Sequence, residues 1–309
     1  MRIIESENAY DAKLLTSEFL TMKRQQGVTK PCLDQHRYAL IHLHKGIDKA
    51  PEMADVYRCL PPTMGSGYYN KRLTTYRQYF TFCKRLGRTL NWSISDIHYK
   101  KKKYHIVNHE NCEVQTLLQS FNQKTFAGLR DYVLTMFILD TGTRPSEVVR
   151  ILPEDINYTE RECTLRAEIT KTHEERIVPI STKVLMLIRK LLHYHLPEWG
   201  KTTVFCNDWG KELKTTGYRN RCKQVCDRNQ IHITPYELRH IFATNYIRNG
   251  GDPFTLQKIL GHASLNTTRI YVNLNTKDLH LMHEKANVIS QFSFTKNHFI
   301  GRKNTKQNL

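Results

Sequence analysis

The sequence predicts a mainly α-helical protein with one small β-hairpin, an α+β fold divided between a helical N-terminal domain and a larger C-terminal domain. Three observations predict it. Apolar residues recur every three or four positions in long stretches, and helix-starting and helix-ending residues separate these stretches. The short stretches "CTLRAEI" and "RIVPI" show the β-branched alternation that is typical of strands. With 309 residues, 39% of them hydrophobic, the chain is long enough for about two packed domains.

The first domain, residues 1–99, is predicted from helical stretches such as "SEFLTMKRQQG" and "NKRLTTYRQYFTFCKRLG". The second of these has an apolar face and a basic face. The apolar face carries Leu73, Tyr76, Tyr79 or Phe80, and Cys83, and the basic face carries Lys71, Arg72, Arg77 and Lys84. A single lysine there is typical of a solvated surface, but the charge excess of the chain favours a stripe that contacts phosphates.

A basic linker over residues 100–112 is predicted from "KKKK" and the weakly periodic polar segment that follows. If the protein clamps a duplex, this connection lies against the DNA backbone; otherwise it is a soluble linker. Lys101, Lys102 and Lys103 are therefore candidate DNA-binding residues, together with Arg72.

The second domain, residues 113–290, begins with helices. Helical spacing runs from Leu129 to Asp140, Gly142 stands where a helix ends, and a short helix opens at Pro145. "CTLRAEI" and "RIVPI" then bracket the polar turn "TKTHEE" as a hairpin, and helices return from Ser181. Residues 291–309 form a basic tail.

Charge and composition limit the function. The excess of 47 Lys and Arg over 29 Asp and Glu gives a net charge of +18, which favours nucleic acid as a partner. Binding to a membrane surface would require a basic amphipathic helix or a lipidation signal, and the sequence shows neither. The N-terminus lacks the apolar segment of a signal peptide, so we expect a soluble, cytoplasmic protein. The eight cysteines form no CxxC pair, and Cys222 and Cys226, four apart on a helix, favour two buried thiols over half a metal site.

The stretch "TGTRPSE" breaks a local rule. Pro145 fits the first position of a helix, so Arg144 takes the capping position, where Ser, Thr, Asp or Asn is preferred. An arginine beside free helix amides is suited to grip a phosphate. The alternative is a surface ion pair with Glu147.

Two further stretches contain candidate site residues. In "TPYELRHIFATNYI", Thr234 and Glu237 have capping-box spacing, and Tyr236 and Arg239 lie three apart on the first turn. In "LGHASLNTTRIYVNL", Gly261 ends one helix and Ser264 caps the next; His262 and Tyr271 flank this corner, and Tyr271 alone would suggest a buried aromatic residue. Lys171, at the hairpin tip, is either a solvated charge or a proton donor at a phosphate site.

Taken in order, "TGTRPSEVV", "ITKTHEERIVPI", "YELRHIFAT" and "LGHASLNTTRIYVNL" resemble the catalytic domain of the tyrosine recombinase (integrase) family, which includes phage and transposon integrases and Xer-type recombinases. The resemblance covers about Glu113 to Lys285. The N-terminal half is compatible with the helical core-binding domain of that family but carries no comparable motif.

The resemblance implies a mechanism on DNA. Tyr271 would attack a phosphodiester to give a 3′-phosphotyrosyl link and a free 5′-hydroxyl, with no cofactor and no metal. Arg144 and Arg239 would hold the non-bridging oxygens, Lys171 would protonate the leaving oxygen, and His262 would hydrogen-bond the phosphate. Glu147 would support this shell.

One position departs from the family pattern. Tyr236 stands where the family usually has a histidine, three residues before the second arginine. A phenol with a pKa near 10 is a poorer base than an imidazole, so we expect Tyr236 to position groups or to transfer a proton slowly. We do not expect His240 or His232 to replace that histidine, because the helix turns His240 about 100° away from Arg239.

The leading hypothesis is therefore a site-specific DNA recombinase of a phage or transposon. It would bind double-stranded DNA as a homotetramer on two sites and associate with the nucleoid when bound. The alternatives are a type IB topoisomerase and a catalytically impaired DNA-binding accessory protein on the same fold.

Overall fold

The computed structural model describes residues 10–47, 49–88, 92–101, 109–272, 280 and 283–284. It divides into two compact units, Met1–Tyr104 and His105–Leu309, and this division falls within the stretch predicted as a linker. Lys102, Lys103 and the predicted tail lie outside the described residues. The exact domain bounds stay a prediction.

The described part of the first unit is helical. Its helices are α1 (Ala12–Gln25), α2 (Lys30–Leu43), α3 (Met53–Cys59) and α4 (Ser66–Arg85). The Asp11 carboxylate accepts hydrogen bonds from the amides of Lys13 and Leu14 and so fixes the start of α1. The predicted apolar face of α4 is buried and packs in one core with Phe19 and Leu40.

The second unit is built around α6, a helix that is apolar on most of its circumference and therefore buried. α10 and α8 both pack against it, and α11 packs against α10. The helices of the described part of this unit are α5 (Asn111–Gln119), α6 (Phe126–Thr141), α7 (Pro145–Val148), α8 (Thr182–Leu192), α9 (Thr215–Arg228), α10 (Pro235–Arg248), α11 (Pro253–Leu260) and α12 (Leu265–Thr268).

One small antiparallel sheet accompanies these helices. Its strands are β1 (Ile156–Asn157), β2 (Glu162–Leu165) and β3 (Arg176–Pro179), in the order β1-β2-β3, with Cys163 opposite Val178. The α+β fold class is thereby confirmed.

The predicted hairpin exists, but its strands are shorter than "CTLRAEI" indicates. β2 ends at Leu165, and residues 166–175 form the connection. Directly after β2, the Nε of Arg166 donates to the Asp155 carboxylate at 3.1 Å. The hydroxyl of Thr170 then donates to the carbonyls of Ala167 and Glu174, so the loop satisfies its own polar groups locally.

The predicted helix ends are confirmed. Gly142 and Gly261 end α6 and α11 in the left-handed region, at φ of 63° and 62°. The Thr234–Glu237 capping box opens α10, and Ser264 caps α12. Cys222 and Cys226 are both buried on α9, as expected. In the described ranges, we find no helix with the length and apolarity needed to cross a bilayer.

Candidate active site

The ends of helices α6 and α11 meet at the start of α7 and hold two arginines by their main-chain oxygens. Arg144, the N-cap of α7, donates from Nη2 to the Gly261 carbonyl at 3.1 Å. Arg239, on α10, donates from Nη1 to the Gly142 carbonyl at 2.8 Å and from Nη2 to the Leu260 carbonyl at 2.9 Å. Carbonyls at a helix C-terminus lack intrahelical partners and carry partial negative charge, so they suit guanidinium groups.

Glu147 joins these arginines to a third one. Its carboxylate accepts from Arg144 Nη1 at 2.8 Å and from Arg176 Nη1 at 3.3 Å, and it is 1% exposed. The Arg144–Glu147 pair of the alternative therefore exists, but its carboxylate is buried and does not lie on the surface. Burial disfavours the carboxylate, yet Arg176 and then Arg144 outweigh that effect and hold the pKa of Glu147 below its usual value.

Arg176 is a site residue that the sequence reasoning missed. It begins β3, and its Nε donates to the Ile259 carbonyl at 3.1 Å, near the end of α11. In the sequence it is one basic residue in an ordinary strand. The only signal available was its place directly after the hairpin loop that contains Lys171.

The cluster carries an excess of positive charge. Three guanidinium groups, those of Arg144, Arg176 and Arg239, face the single carboxylate of Glu147 among the described side chains of this cluster. Burial, and next the charge of Arg144, lower the pKa of Arg239 to about 9, so it is still protonated at neutral pH. A bound anion would relieve this repulsion, so the site is suited to a phosphate group.

His262 is placed against the second arginine. Its Nε2 accepts from Arg239 Nη2 at 2.9 Å, so the proton of the neutral ring lies on Nδ1, which donates to the Thr268 hydroxyl at 2.9 Å. Burial, followed by the charges of Arg239 and Arg144, lowers the pKa of His262 to about 4. The imidazole is therefore neutral at neutral pH.

Tyr271 closes the site from the last 3₁₀ turn of the described residues, Arg269–Tyr271. Its side chain is only 5% exposed, and burial raises the pKa of its phenol while the charge of Arg239 opposes that shift. The phenolic oxygen lies 2.6 Å from His240 Nδ1. The expectation that His240 would not replace the family's histidine stays a prediction, but it did not foresee this contact. The 3₁₀ turn packs against α10 and brings the tyrosine to the His240 side of that helix.

Two predicted residues stand apart from this cluster. Tyr236 is 52% exposed on the first turn of α10, and no hydrogen bond from its hydroxyl occurs within the described structure. Lys171 is exposed on the loop between β2 and β3. The following residues of that loop line an open cleft of about 390 Å³ whose opposite side includes Gly261 and His262.

The structure describes two of the four predicted DNA-binding residues, Arg72 and Lys101, and Arg72 is half-buried. Arg72 packs between two tyrosines, with its guanidinium carbon 5.0 Å from the ring centre of Tyr68 and 5.7 Å from that of Tyr38. Lys101 is exposed. Across the described ranges, no group of three or more His, Cys, Asp or Glu side chains is arranged to bind a metal ion.

Residues 108–278, which contain every residue of the arginine cluster and Tyr271, match the sequence model of the phage integrase family. The chain belongs to the phage integrase family. The resemblance to tyrosine recombinases is thereby confirmed, and the arginines, histidine and tyrosine described above lie in the part of the chain that carries the family match.

Curated relatives of this integrase-family chain include Xer recombinases. It is 31% identical to the tyrosine recombinase XerD of Listeria innocua over 178 residues, which are 54% of this chain and 59% of that protein. It is 27% identical to XerC of Staphylococcus aureus over 224 residues, 70% of this chain and 74% of the relative. The match thus spans less than two thirds of the first of these relatives.

Solved structures of integrases share the fold. The Tn1549 transposon integrase in complex with a circular intermediate DNA has a TM-score of 0.71 at 16% identity, covering 88% of this chain and 99% of that one. A lambda integrase dimer bound to a COC′ core site has a TM-score of 0.72 at 15% identity, covering 87% and 79%. At these identities the likeness establishes the fold alone.

Proposed function

We propose that this protein is a site-specific DNA recombinase that cleaves and rejoins DNA through a 3′-phosphotyrosyl intermediate. The observation that carries the proposal is the convergence of Arg144, Arg239, His262 and Tyr271 from separate sequence motifs onto one buried, positively charged site. Family membership adds to this support, since relatives are named tyrosine recombinases.

The scissile phosphate would lie between Arg144 and Arg239. Their guanidinium groups are already oriented by helix-end carbonyls, so little reorganisation is needed when negative charge builds up on the non-bridging oxygens. His262 would exchange its contact with Arg239 for one with the phosphate. The negative charge would raise the pKa of His262 and favour a proton on Nε2.

The chemical step would be a transesterification. The Tyr271 oxygen forms a bond to phosphorus as the phosphorus–O5′ bond breaks, and Lys171 gives a proton to the leaving 5′-oxygen. The phosphotyrosyl link retains the energy of the broken bond, so rejoining needs no external energy source. Lys171 suits this role by position, because its exposed loop borders the cleft beside His262.

The first unit would supply part of the DNA affinity. Tyr38, Tyr68, Lys71 and Arg72 line an open groove of about 380 Å³. Arginine held over aromatic rings beside an exposed lysine is a surface suited to the sugar-phosphate backbone. Lys101, Lys102 and Lys103 would extend the contact along the chain.

The biological role we propose is integration, excision or resolution of a phage or transposon, by a homotetramer on two DNA sites. The fold is shared with the Tn1549 transposon integrase and with a lambda integrase tetramer bound to a Holliday junction. A cytoplasmic, nucleoid-associated protein fits this role.

The deciding experiment is trapping of the covalent intermediate. A duplex selected from a random pool by its binding to the full chain is nicked near the cleavage point, so that the released fragment diffuses away and rejoining is blocked. Wild-type protein should form a denaturant-resistant adduct through its residue 271, and Tyr271→Phe should form none while it binds the same duplex.

The outcomes separate the candidate functions. Adduct formation together with strand exchange between two such sites supports the recombinase. Adduct formation with relaxation of supercoiled plasmid but without exchange favours a type IB topoisomerase. Binding without any adduct would refute the cleavage chemistry and leave the DNA-binding accessory protein.

A further inference from the structure

Among the described residues, the side chain that forms a hydrogen bond with the proposed nucleophile, Tyr271, is that of His240. The distance from His240 Nδ1 to the Tyr271 oxygen is 2.6 Å, and the two ring centres are 5.6 Å apart at 45°. Both residues are enclosed, since Tyr271 is buried and His240 is half-buried on α10. We propose that His240 is a catalytic residue that accepts the phenolic proton of Tyr271 when the tyrosine attacks DNA.

The direction of the hydrogen bond follows from the acidities of the two groups. Burial, and next the charge of Arg239, lower the pKa of His240, with Glu237 opposing, so the ring is neutral at neutral pH. A phenol, with an ordinary pKa near 10, is far more acidic than the N–H of a neutral imidazole. The phenol is therefore the donor, and the Nδ1 lone pair of His240 is the acceptor.

The other candidate bases are less suited to this role. Both ring nitrogens of His262 are engaged, one with Arg239 and one with Thr268. Tyr236, at the position where the family usually has its histidine, is half-exposed, and among the described residues its hydroxyl makes no hydrogen bond to Tyr271. His240 combines an accessible lone pair with direct contact to the reacting oxygen.

The proposed step balances in both directions and rests on the proposed function. In cleavage, the O–H bond of Tyr271 breaks and its proton moves to His240 Nδ1 as the oxygen–phosphorus bond forms. The phosphorus–O5′ bond breaks, and the 5′-oxygen takes a proton from Lys171. In rejoining, the 5′-hydroxyl gives its proton back to the lysine, and the His240 imidazolium returns its proton to the departing phenolate.

The charged and titratable groups around His240 come from several elements. Arg239 and Glu237 belong to its own helix, Tyr271 belongs to the last 3₁₀ turn, and His262 follows α11 and is within electrostatic reach. Arg239 disfavours the imidazolium, so protonation of His240 would be coupled to the negative charge of the phosphate in the site.

The test measures single-turnover adduct formation by the full chain on the nicked duplex described above. His240→Asn keeps an acceptor oxygen near the position of Nδ1 but cannot take the proton. We expect adduct formation to slow by about 100-fold or more, with DNA binding unchanged. His232→Asn, the same substitution at an exposed histidine just before α10, should match wild type.

A second measurement separates proton transfer from a structural role. Tyr271 is replaced by a difluorinated tyrosine, whose more acidic phenol depends less on a base. This replacement should accelerate His240→Asn much more than it accelerates the wild-type protein. An equal effect in both backgrounds would overturn the proposal even if His240→Asn is slow.

The remaining outcomes are also decisive. His240→Asn with a rate within about threefold of wild type would overturn the role of His240 and leave the recombinase function intact. Failure of the wild-type protein to form any adduct would overturn the proposed function, and this inference with it.

Discussion

Removing the charge of Glu147 tests whether this buried carboxylate holds the arginine cluster together. Glu147→Gln keeps the shape of the side chain and one acceptor oxygen but leaves Arg144 and Arg176 without their counter-charge. Breaking a buried ion pair from one side costs about 3 to 5 kcal/mol. The arginine side chains are 15% and 10% exposed, so water reaches them, and we expect a loss of about 3 kcal/mol.

The assay is urea and thermal unfolding of the full chain. In a unit of this size, that loss lowers the midpoint temperature by about 6 to 12 °C. Glu154→Gln is the matched control, because Glu154 is exposed and its nearest cation, Lys201, is 3.9 Å away. The control should change the free energy of unfolding by less than about 1 kcal/mol.

Unfolding in acid independently checks that the ionised carboxylate of Glu147 stabilises the protein. Because the folded pKa of Glu147 lies below its usual 4.5, its carboxylate contributes stability that is fully present above pH 4.5 and is lost as the pH falls through the folded pKa. The stability difference between wild type and Glu147→Gln should therefore shrink in acid. A loss below about 1 kcal/mol at neutral pH, or a difference that persists unchanged in acid, would refute the reasoning.

Three further predictions concern the glycine cap, the half-buried His262 and the first unit. Gly142→Ala should cost about 3 kcal/mol of unfolding free energy, since φ is +63° and the new Cβ would lie 2.3 Å from Phe242. Gly217→Ala on α9 is the control, because its Cβ would make only ordinary contacts at 3.8 Å and beyond; equal stabilities of the two variants would contradict the clash. The pKa of His262 is about 4 in the folded protein, against 6.5 ordinarily, so the unfolded chain binds more protons between these pH values and stability should rise with pH there. His262→Gln should flatten that rise in urea titrations, and an unaltered slope would count against a neutral ring in the folded site. Arg72→Ala should weaken binding to the selected duplex and reduce the slope of log affinity against log salt by about 1, whereas an unchanged slope would show that Arg72 contacts no phosphate.

Local chemistry made much of the fold predictable. Thr234 and Glu237 satisfy each other's helix-end amides, and Gly142 and Gly261 adopt a backbone conformation that other residues resist, so these helix ends follow from a few adjacent residues. The violation of the same rules at Arg144 pointed to the site, because a capping position filled by arginine gives up a helix-stabilising contact for another purpose.

Contacts between distant segments were not predictable in this way. The burial of Glu147 depends on Arg176, which comes from a strand 29 residues further along. A helical wheel gives the angle between Arg239 and His240, but it does not show from which side the last 3₁₀ turn approaches the helix. The contact between His240 and Tyr271 therefore could not be predicted from the sequence. The hydrogen bond that follows the end of β2 likewise joins Arg166 to Asp155, a residue outside the hairpin.

The arginines of the site are held by main-chain oxygens at the points where α6 and α11 stop. A carbonyl oxygen is the same whatever residue carries it, so these anchors do not depend on which side chains α6 and α11 carry. The buried side chains of α6 and the more exposed ones of α11 can therefore change, within what packing allows, while the positions of the guanidinium groups stay fixed. The geometry of the site tolerates sequence drift in both helices, provided that each helix continues to end at its glycine.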